Sequence, residues 1–202
     1  MKMIFIGDSI TASGKNADPE RLGNGYVRMI KEELSQNVNI LNKGVNGHRV
    51  TDLAIRWERD VINLEPDLVS ISIGINDVWR QLDSPDLNQV DVEKFEQIYR
   101  DLLSQLTQNN SVKVVLMEPT IIEENPESKG NQMLIPYVET VRKLANECGA
   151  WVVPTHDVFM EHLKSYPEMT LTTDGVHMNK KGNLLMAQTW LKETKDLLAD
   201  YF

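Results

Sequence analysis

The chain has 202 residues, 41% of them hydrophobic and 25% charged, and 30 acidic side chains against 21 basic ones leave a net charge of −9. One ordinary domain, 1–202, is expected, which buries roughly 70% of its unfolded surface and needs no disulfide or metal staple. The composition excludes disorder, and the acidic balance disfavours a nucleic-acid backbone or an anionic membrane surface as partner. The single cysteine, Cys148, leaves no internal disulfide and no cysteine-built zinc site. Lys2 is followed by only four apolar residues before Gly7 and Asp8, too few for a secretory signal. No run approaches the ~20 apolar residues of a membrane span. A cytoplasmic address is therefore expected, and the triplet Asn109-Asn110-Ser111 carries little meaning without a secretion route.

Short apolar runs alternate with longer amphipathic stretches along the chain. Lys2–Gly7 reads as the first strand. Tyr26, Val27, Ile30 and Leu34 recur at helical spacing before a second strand over Asn39–Gly44. Residues 51–63 place Leu53, Ile55, Trp57, Val61 and Ile62 on a helix stopped by Pro66, and 67–74 form the third strand. A loop over 81–91 leads to a helix over 92–108, a strand over 112–118 and a polar loop over 121–132. A helix over 136–148 ends at Gly149, a plausible cap, before a strand over 150–154 and a further helical stretch. The last helix runs over about 180–199. Strands this short and continuously apolar are buried on both faces, so the pattern predicts a parallel sheet with helices on both sides.

Sheets of this kind place their chemistry in the loops at the carboxyl ends of the strands. Unusual polar residues fall there: Gly7-Asp8-Ser9-Ile10-Thr11, Asn42-Lys43-Gly44-Val45-Asn46-Gly47-His48, Gly74-Ile75-Asn76-Asp77 and, before the last helix, Asp174-Gly175-Val176-His177. Together they supply the parts of acyl transfer. Ser9 is a hydroxyl that needs a base to become a nucleophile, and the imidazole of His177 can take and return a proton at neutral pH. Asp174, three residues earlier, can hold the second ring nitrogen. The backbone N–H groups of Ser9 and Gly47 and the amide of Asn76 can hold an oxyanion. Each piece alone is an ordinary turn; all four, in order and at strand ends, are not.

These blocks resemble the SGNH subgroup of the GDSL esterases and lipases, with matches at Ser9, Gly47, Asn76 and His177 across essentially the whole chain. The resemblance implies a flavodoxin-like, three-layer α/β/α sandwich with a five-stranded parallel sheet, hydrolysis without a metal or other cofactor, and a serine acyl-enzyme. Ile10 stands where the family name has leucine, and Gly47 fits the second block better than Gly44. Gly23-Asn24-Gly25-Tyr26-Val27, Arg56-Trp57-Glu58 and Ile75-Asn76-Asp77-Val78-Trp79-Arg80 are similar, more finely, to the intracellular acetylxylan and carbohydrate esterases of that family. By that resemblance the substrate is a short-chain, acetylated carbohydrate, and Asp8, Tyr26, His48, Trp79 and Arg80 are candidates for the substrate pocket. A general lipase or acylhydrolase, including a lysophospholipase or thioesterase, is the alternative within the family. The oligomeric state stays open, a homo-oligomer included.

Other residues read more plainly. His48 suits an exposed loop, and His156 and His162 suit surface or capping positions. Asp8 and Asp77 suit holding their loops through backbone hydrogen bonds, and Glu118 faces the same rim. Trp57 and Cys148 suit the core. The acidic stretch 83–101 reads as a solvated face. Thr11 breaks the Gly-x-Ser-x-Gly of an α/β-hydrolase, and Ile10 leaves an aspartate phosphatase without its second acid. A flavodoxin-like phosphate- or flavin-binding module using Ser9, Thr11 and Ser13 leaves Asn76 and the Asp174–His177 pair without a role.

Overall fold

The computed structural model describes residues 1–86, 88–107 and 112–201, the side chain of Thr107 excepted. The triplet Asn109-Asn110-Ser111 lies outside the described residues. Among the described residues five strands, β1 (Lys2–Gly7), β2 (Asn39–Gly44), β3 (Leu68–Ser72), β4 (Lys113–Met117) and β5 (Trp151–Val153), pair in parallel in the order β2-β1-β3-β4-β5. Gly7 is level with Gly44 on one side and Ser72 on the other, so three strands end at one height. The last three strands are shorter than their apolar runs: β3 and β4 end level with their neighbours at Ser72 and Met117, and β5 pairs with β4 only over Trp151–Val153.

Among the same residues eight α-helices cover the sheet: α1 (Ser9–Ala12), α2 (Tyr26–Glu33), α3 (Val50–Asp60), α4 (Ile75–Asp83), α5 (Val92–Thr107), α6 (Lys129–Cys148), α7 (Thr155–Ser165) and α8 (Lys180–Glu193). In one layer α8 packs on α2 and α7; in the other α5 packs on α3 and α6, and α6 on α4. The result is the expected three-layer α/β/α sandwich. Its core is the double-faced burial of Met3–Ile6 and Leu68–Ile71, which no water reaches. Trp57 lies in it as expected.

Several element boundaries differ from expectation. The region after β3 is helical at once, because Gly74 takes φ +121° and caps α4, which reaches into the expected loop at 81–91. Helix α6 begins at Lys129 with Pro136 inside it, since the Ser128 side chain accepts from Asn131 N and starts the helix upstream of the proline. Helices α3 and α8 end earlier than predicted and are followed by 3₁₀ turns, one over Ile62–Leu64 and a kinked pair over Asp196–Tyr201 broken at Leu198. The short α1 turns directly out of β1, where a loop is expected.

In this strand order the chain leaves β1 for one side of the sheet and later crosses to β3 on the other. The crevice between the carboxyl ends of β1 and β3 is thus the topological switch point, where ligands bind in such sheets. Ser9 and Asn76 stand on its two sides.

Candidate active site

Ser9 is the first residue of α1, and Asp8 caps that helix by accepting from Ile10 N at 2.9 Å. The cap fixes the turn that lifts the Ser9 hydroxyl off the end of β1. Ser9 Oγ lies 2.9 Å from His177 Nε2, and His177 Nδ1 lies 2.6 Å from Asp174 Oδ2. With the Nδ1 proton donated to the carboxylate, Nε2 is left to accept from the serine. The other Asp174 oxygen accepts from His177 N and Val176 N, so the loop that carries the histidine is tied to its own acid. Burial works against the Asp174 charge, but the hydrogen bonds from His177 and Val176 outweigh it and hold the carboxyl below its ordinary range.

Gly47 sits in the turn after β2 with φ +76°, a conformation that favours glycine. Gly44 serves packing instead. A Cβ there would lie 2.2 Å from Ala12 N, so its bareness lets β2 pack against α1. Asn76 is buried in the first turn of α4 and its Nδ2 donates to His48 O at 3.1 Å. That bond uses one amide hydrogen, sets the plane of the group and leaves the second hydrogen for a ligand.

The residues around this set divide into those that support it and those that face open space. Asp77 accepts from Val50 N at 3.1 and 3.3 Å and thereby joins α4 to the start of α3. Burial pushes the carboxyls of Asp8 and Asp77 up to about 7, against the hydrogen bonds from Ile10 and Val50 that favour their charge. Asp8 and Tyr26, expected at the substrate pocket, are buried beneath it; the Tyr26 hydroxyl meets Thr11 Oγ1 at 2.9 Å. His48 is not an exposed loop residue: it is half-buried, and its Nδ1 accepts from Arg56 Nε at 3.1 Å. Trp79 meets the His177 ring edge-on with centroids 5.9 Å apart, and Arg80 lies over Trp79 at 5.3 Å while pairing with Asp83.

A cleft of about 320 Å³ opens beside Ser9 and His177, walled by Ser13, Gly14, Asn24 and Asn46. Gly14 and Asn24 also border a second, wider hollow that reaches Asp18 and Arg28. The remaining candidates fall elsewhere. Glu118 is fully buried behind the rim, where it accepts from Arg142 Nε at 2.5 Å and from His156 N at 3.1 Å. His156 is buried too, with Nδ1 2.6 Å from Thr120 O, which corrects its reading as a surface residue. Cys148 is only half-buried, beside Arg100 and Glu147. Among the described residues no three His, Cys, Asp or Glu side chains group as metal ligands. Sequence reasoning missed Arg56 as a site neighbour; its signal, an arginine on the apolar face of α3, was present in the spacing.

A parallel α/β/α sandwich with a serine–histidine–aspartate series at the carboxyl edge of its sheet is the architecture of a hydrolase of carboxylic esters. Comparison with known proteins agrees. The chain belongs to the GDSL-like lipase/acylhydrolase family, whose model matches residues 5–185, and it is a carboxylic ester hydrolase. It is 38% identical over 206 residues to an acetylxylan esterase of Geobacillus stearothermophilus, covering 95% of this chain and 93% of that one. The crystal structure of that esterase superposes with a TM-score of 0.86 at 37% identity over the same shares of the two chains. An alpha/beta hydrolase enzyme from the metagenome of Lake Arreo, Spain, superposes with a TM-score of 0.87 at 32% identity, covering 97% of this chain and 95% of that one.

Proposed function

We propose that this esterase, a single hydrolase domain over 1–202, removes acetyl groups from a carbohydrate such as an acetylated xylo-oligosaccharide, through an acyl-enzyme on Ser9. The observation that carries the mechanism is the series Ser9 Oγ–His177 Nε2–Asp174 at 2.9 and 2.6 Å. His177 takes the serine proton as Oγ attacks the ester carbonyl, and Asp174 orients the ring and stabilises its charge. The N–H groups of Ser9 and Gly47 and the free amide hydrogen of Asn76 hold the oxyanion. The alcohol leaves with the proton from His177; water then enters, gives its proton to the same nitrogen and releases the acid. In the Geobacillus esterase a serine, an aspartate and a histidine are each described as sites of catalytic mutants, the last two three residues apart, the spacing of Asp174 and His177. That relative's action on acetylxylan supports a sugar over a long acyl chain.

A hydrolysis panel tests both parts. Among p-nitrophenyl esters from acetyl to decanoyl the acetyl ester is expected to be cleaved best, and fully acetylated xylose and acetylxylan to release acetate. Preference for decanoyl with no action on acetylated sugars would leave a general lipase. Ser9→Ala is expected to lose activity by more than about 10³-fold, and Asn76→Ala by about 10²–10³-fold in kcat.

A further inference from the structure

Arg56 is an arginine on α3 with almost no exposed surface, yet it is not spent on one ion pair. Its Nη2 donates to Gly7 O at 2.9 Å, its Nη1 to Lys43 O at 2.7 Å and to Asp60 Oδ2 at 3.1 Å, and its Nε to His48 Nδ1 at 3.1 Å. Asp60 balances the buried charge, also paired to Arg59 and 3.7 Å from Lys43 Nζ. The remaining three bonds lead to three different parts of the candidate site. Gly7 is the end of β1, two residues before Ser9. Lys43 and His48 flank the turn that carries Gly47, and Val45 N donates to Gly7 O at 3.1 Å to lock that turn to β1. The His48 carbonyl, in turn, is the acceptor that sets the amide of Asn76. One planar guanidinium therefore holds the backbone before each of the two N–H donors and, through His48, orients the third donor.

We infer that Arg56 is a positioning residue which assembles the oxyanion hole, with His48 as the link between its guanidinium and Asn76. The inference rests on the oxyanion roles proposed above for Ser9, Gly47 and Asn76. A guanidinium suits this role because its donors are fixed in one plane and aim at three acceptors at once; an ammonium at the same place is a point donor and cannot span them. The bond from Arg56 Nε also fixes the His48 ring, because Nδ1 must stay unprotonated to accept it. Burial, and after it the neighbouring Arg56 charge, lower the His48 pKa and favour that neutral form. His48 Nδ1 and the carbonyls of Gly7 and Lys43 are turned to the guanidinium and do not line the cleft beside Ser9, so Arg56 acts only through the geometry of other groups.

The test is a double-mutant cycle with p-nitrophenyl acetate, using Arg56→Lys and Asn76→Ala singly and together. Misplacing a catalytic donor by about an ångström costs on the order of 10²-fold. Arg56→Lys is expected to lower kcat by roughly 10- to 100-fold with KM changed by less than about threefold, and by a smaller factor when Asn76 is already alanine, since the arm through His48 then has no donor to orient while those on Gly7 and Lys43 still act. His48→Phe, which keeps the ring and removes the acceptor, is expected to lower kcat by a smaller factor in the same direction. It decides the matter if Arg56→Lys does not fold. A folded Arg56→Lys with unchanged kcat, a loss that multiplies fully with that of Asn76→Ala, or an inert His48→Phe where Arg56→Lys fails to fold would each overturn the inference. If instead Asn76→Ala itself leaves kcat unchanged, it is the oxyanion reading that fails.

Discussion

Asp77 shows at the residue scale how the site is held and what holding it costs. Its carboxyl is cut off from water and accepts two weak bonds from one backbone N–H, which is poor compensation for a buried charge. Its pKa is therefore raised to about 7 from an ordinary 3.8. A carboxyl that keeps its proton longer in the folded chain than in the unfolded one contributes stability that is complete below about pH 4 and is lost as pH rises through 7. Asp77→Asn keeps an acceptor for Val50 N and removes the titration. The stability difference, variant minus wild type, is expected to grow between pH 4 and pH 8, by an amount on the order of a few kcal/mol at most. Thermal unfolding across that range checks it, and a difference in melting temperature that does not change with pH would contradict it. The same contrast marks what was legible in the sequence. Asp174 and His177 lie three apart in one turn, and Ser9 sits beside its own helix cap, so local spacing displayed them. Arg56 reaches Gly7 across 49 residues and Asp77 reaches Val50 across 27, contacts that exist only once the sheet is assembled.

At the scale of elements, short apolar runs identified all five strands, but only the inner three, β1, β3 and β4, are buried almost throughout; the edge strands β2 and β5 leave Asn39 and Trp151 exposed. Helices that begin in the site were harder to see. Helix α4 starts with Asn76 and Asp77 buried by tertiary contacts, so its first turn has the polar sequence of a loop. Helix α6 hides its start for another reason: Pro136 marks a favoured first turn, whereas the cap at Ser128 lies two turns earlier. The start of α8 matters most to the site, since it follows His177 directly. Asn179 caps it, accepting from Lys181 N at 2.8 Å and Gly182 N at 3.0 Å while its Nδ2 donates to Thr170 O at 2.8 Å. Asn179→Ala removes the cap and is expected to destabilise the fold by about 1–2 kcal/mol in urea unfolding, whereas Asn179→Asp restores most of the loss. Equal losses in the two variants would mean that the bond to Thr170, and not the cap, does the holding.

Across the whole molecule, the site's accuracy depends on how rigidly the helix layer of α8 is registered on the sheet, because Ser9 rides on β1 and His177 on the loop before α8. Trp190 makes that registration. It is fully buried on α8, its ring lies 5.2 Å from that of Phe5 on β1, and its Nε1 donates to Ser70 Oγ on β3 at 3.0 Å. Ser70 is equally dry, so each partner is the other's relief from an unsatisfied buried polar atom. Asn183 adds a second tie in the same layer, accepting from Tyr26 N at 2.9 Å and joining α8 to α2. Ser70→Ala orphans the indole N–H, and Trp190→Phe orphans the serine hydroxyl while leaving a small void. Each is expected to cost about 1–3 kcal/mol. The double variant leaves no orphan, so its loss is expected to fall short of the sum by roughly 1 kcal/mol or more. At this chain length each kcal/mol lowers the melting temperature by roughly 2–4 °C, so the shortfall is measurable by calorimetry as well as by urea. Strict additivity would show that the bond contributes nothing and that α8 is registered on the sheet by apolar packing alone. In that event esterase activity should survive Ser70→Ala without loss at any temperature below unfolding; if the bond matters, activity is expected to decline before the fold does, as α8 and His177 loosen from the serine.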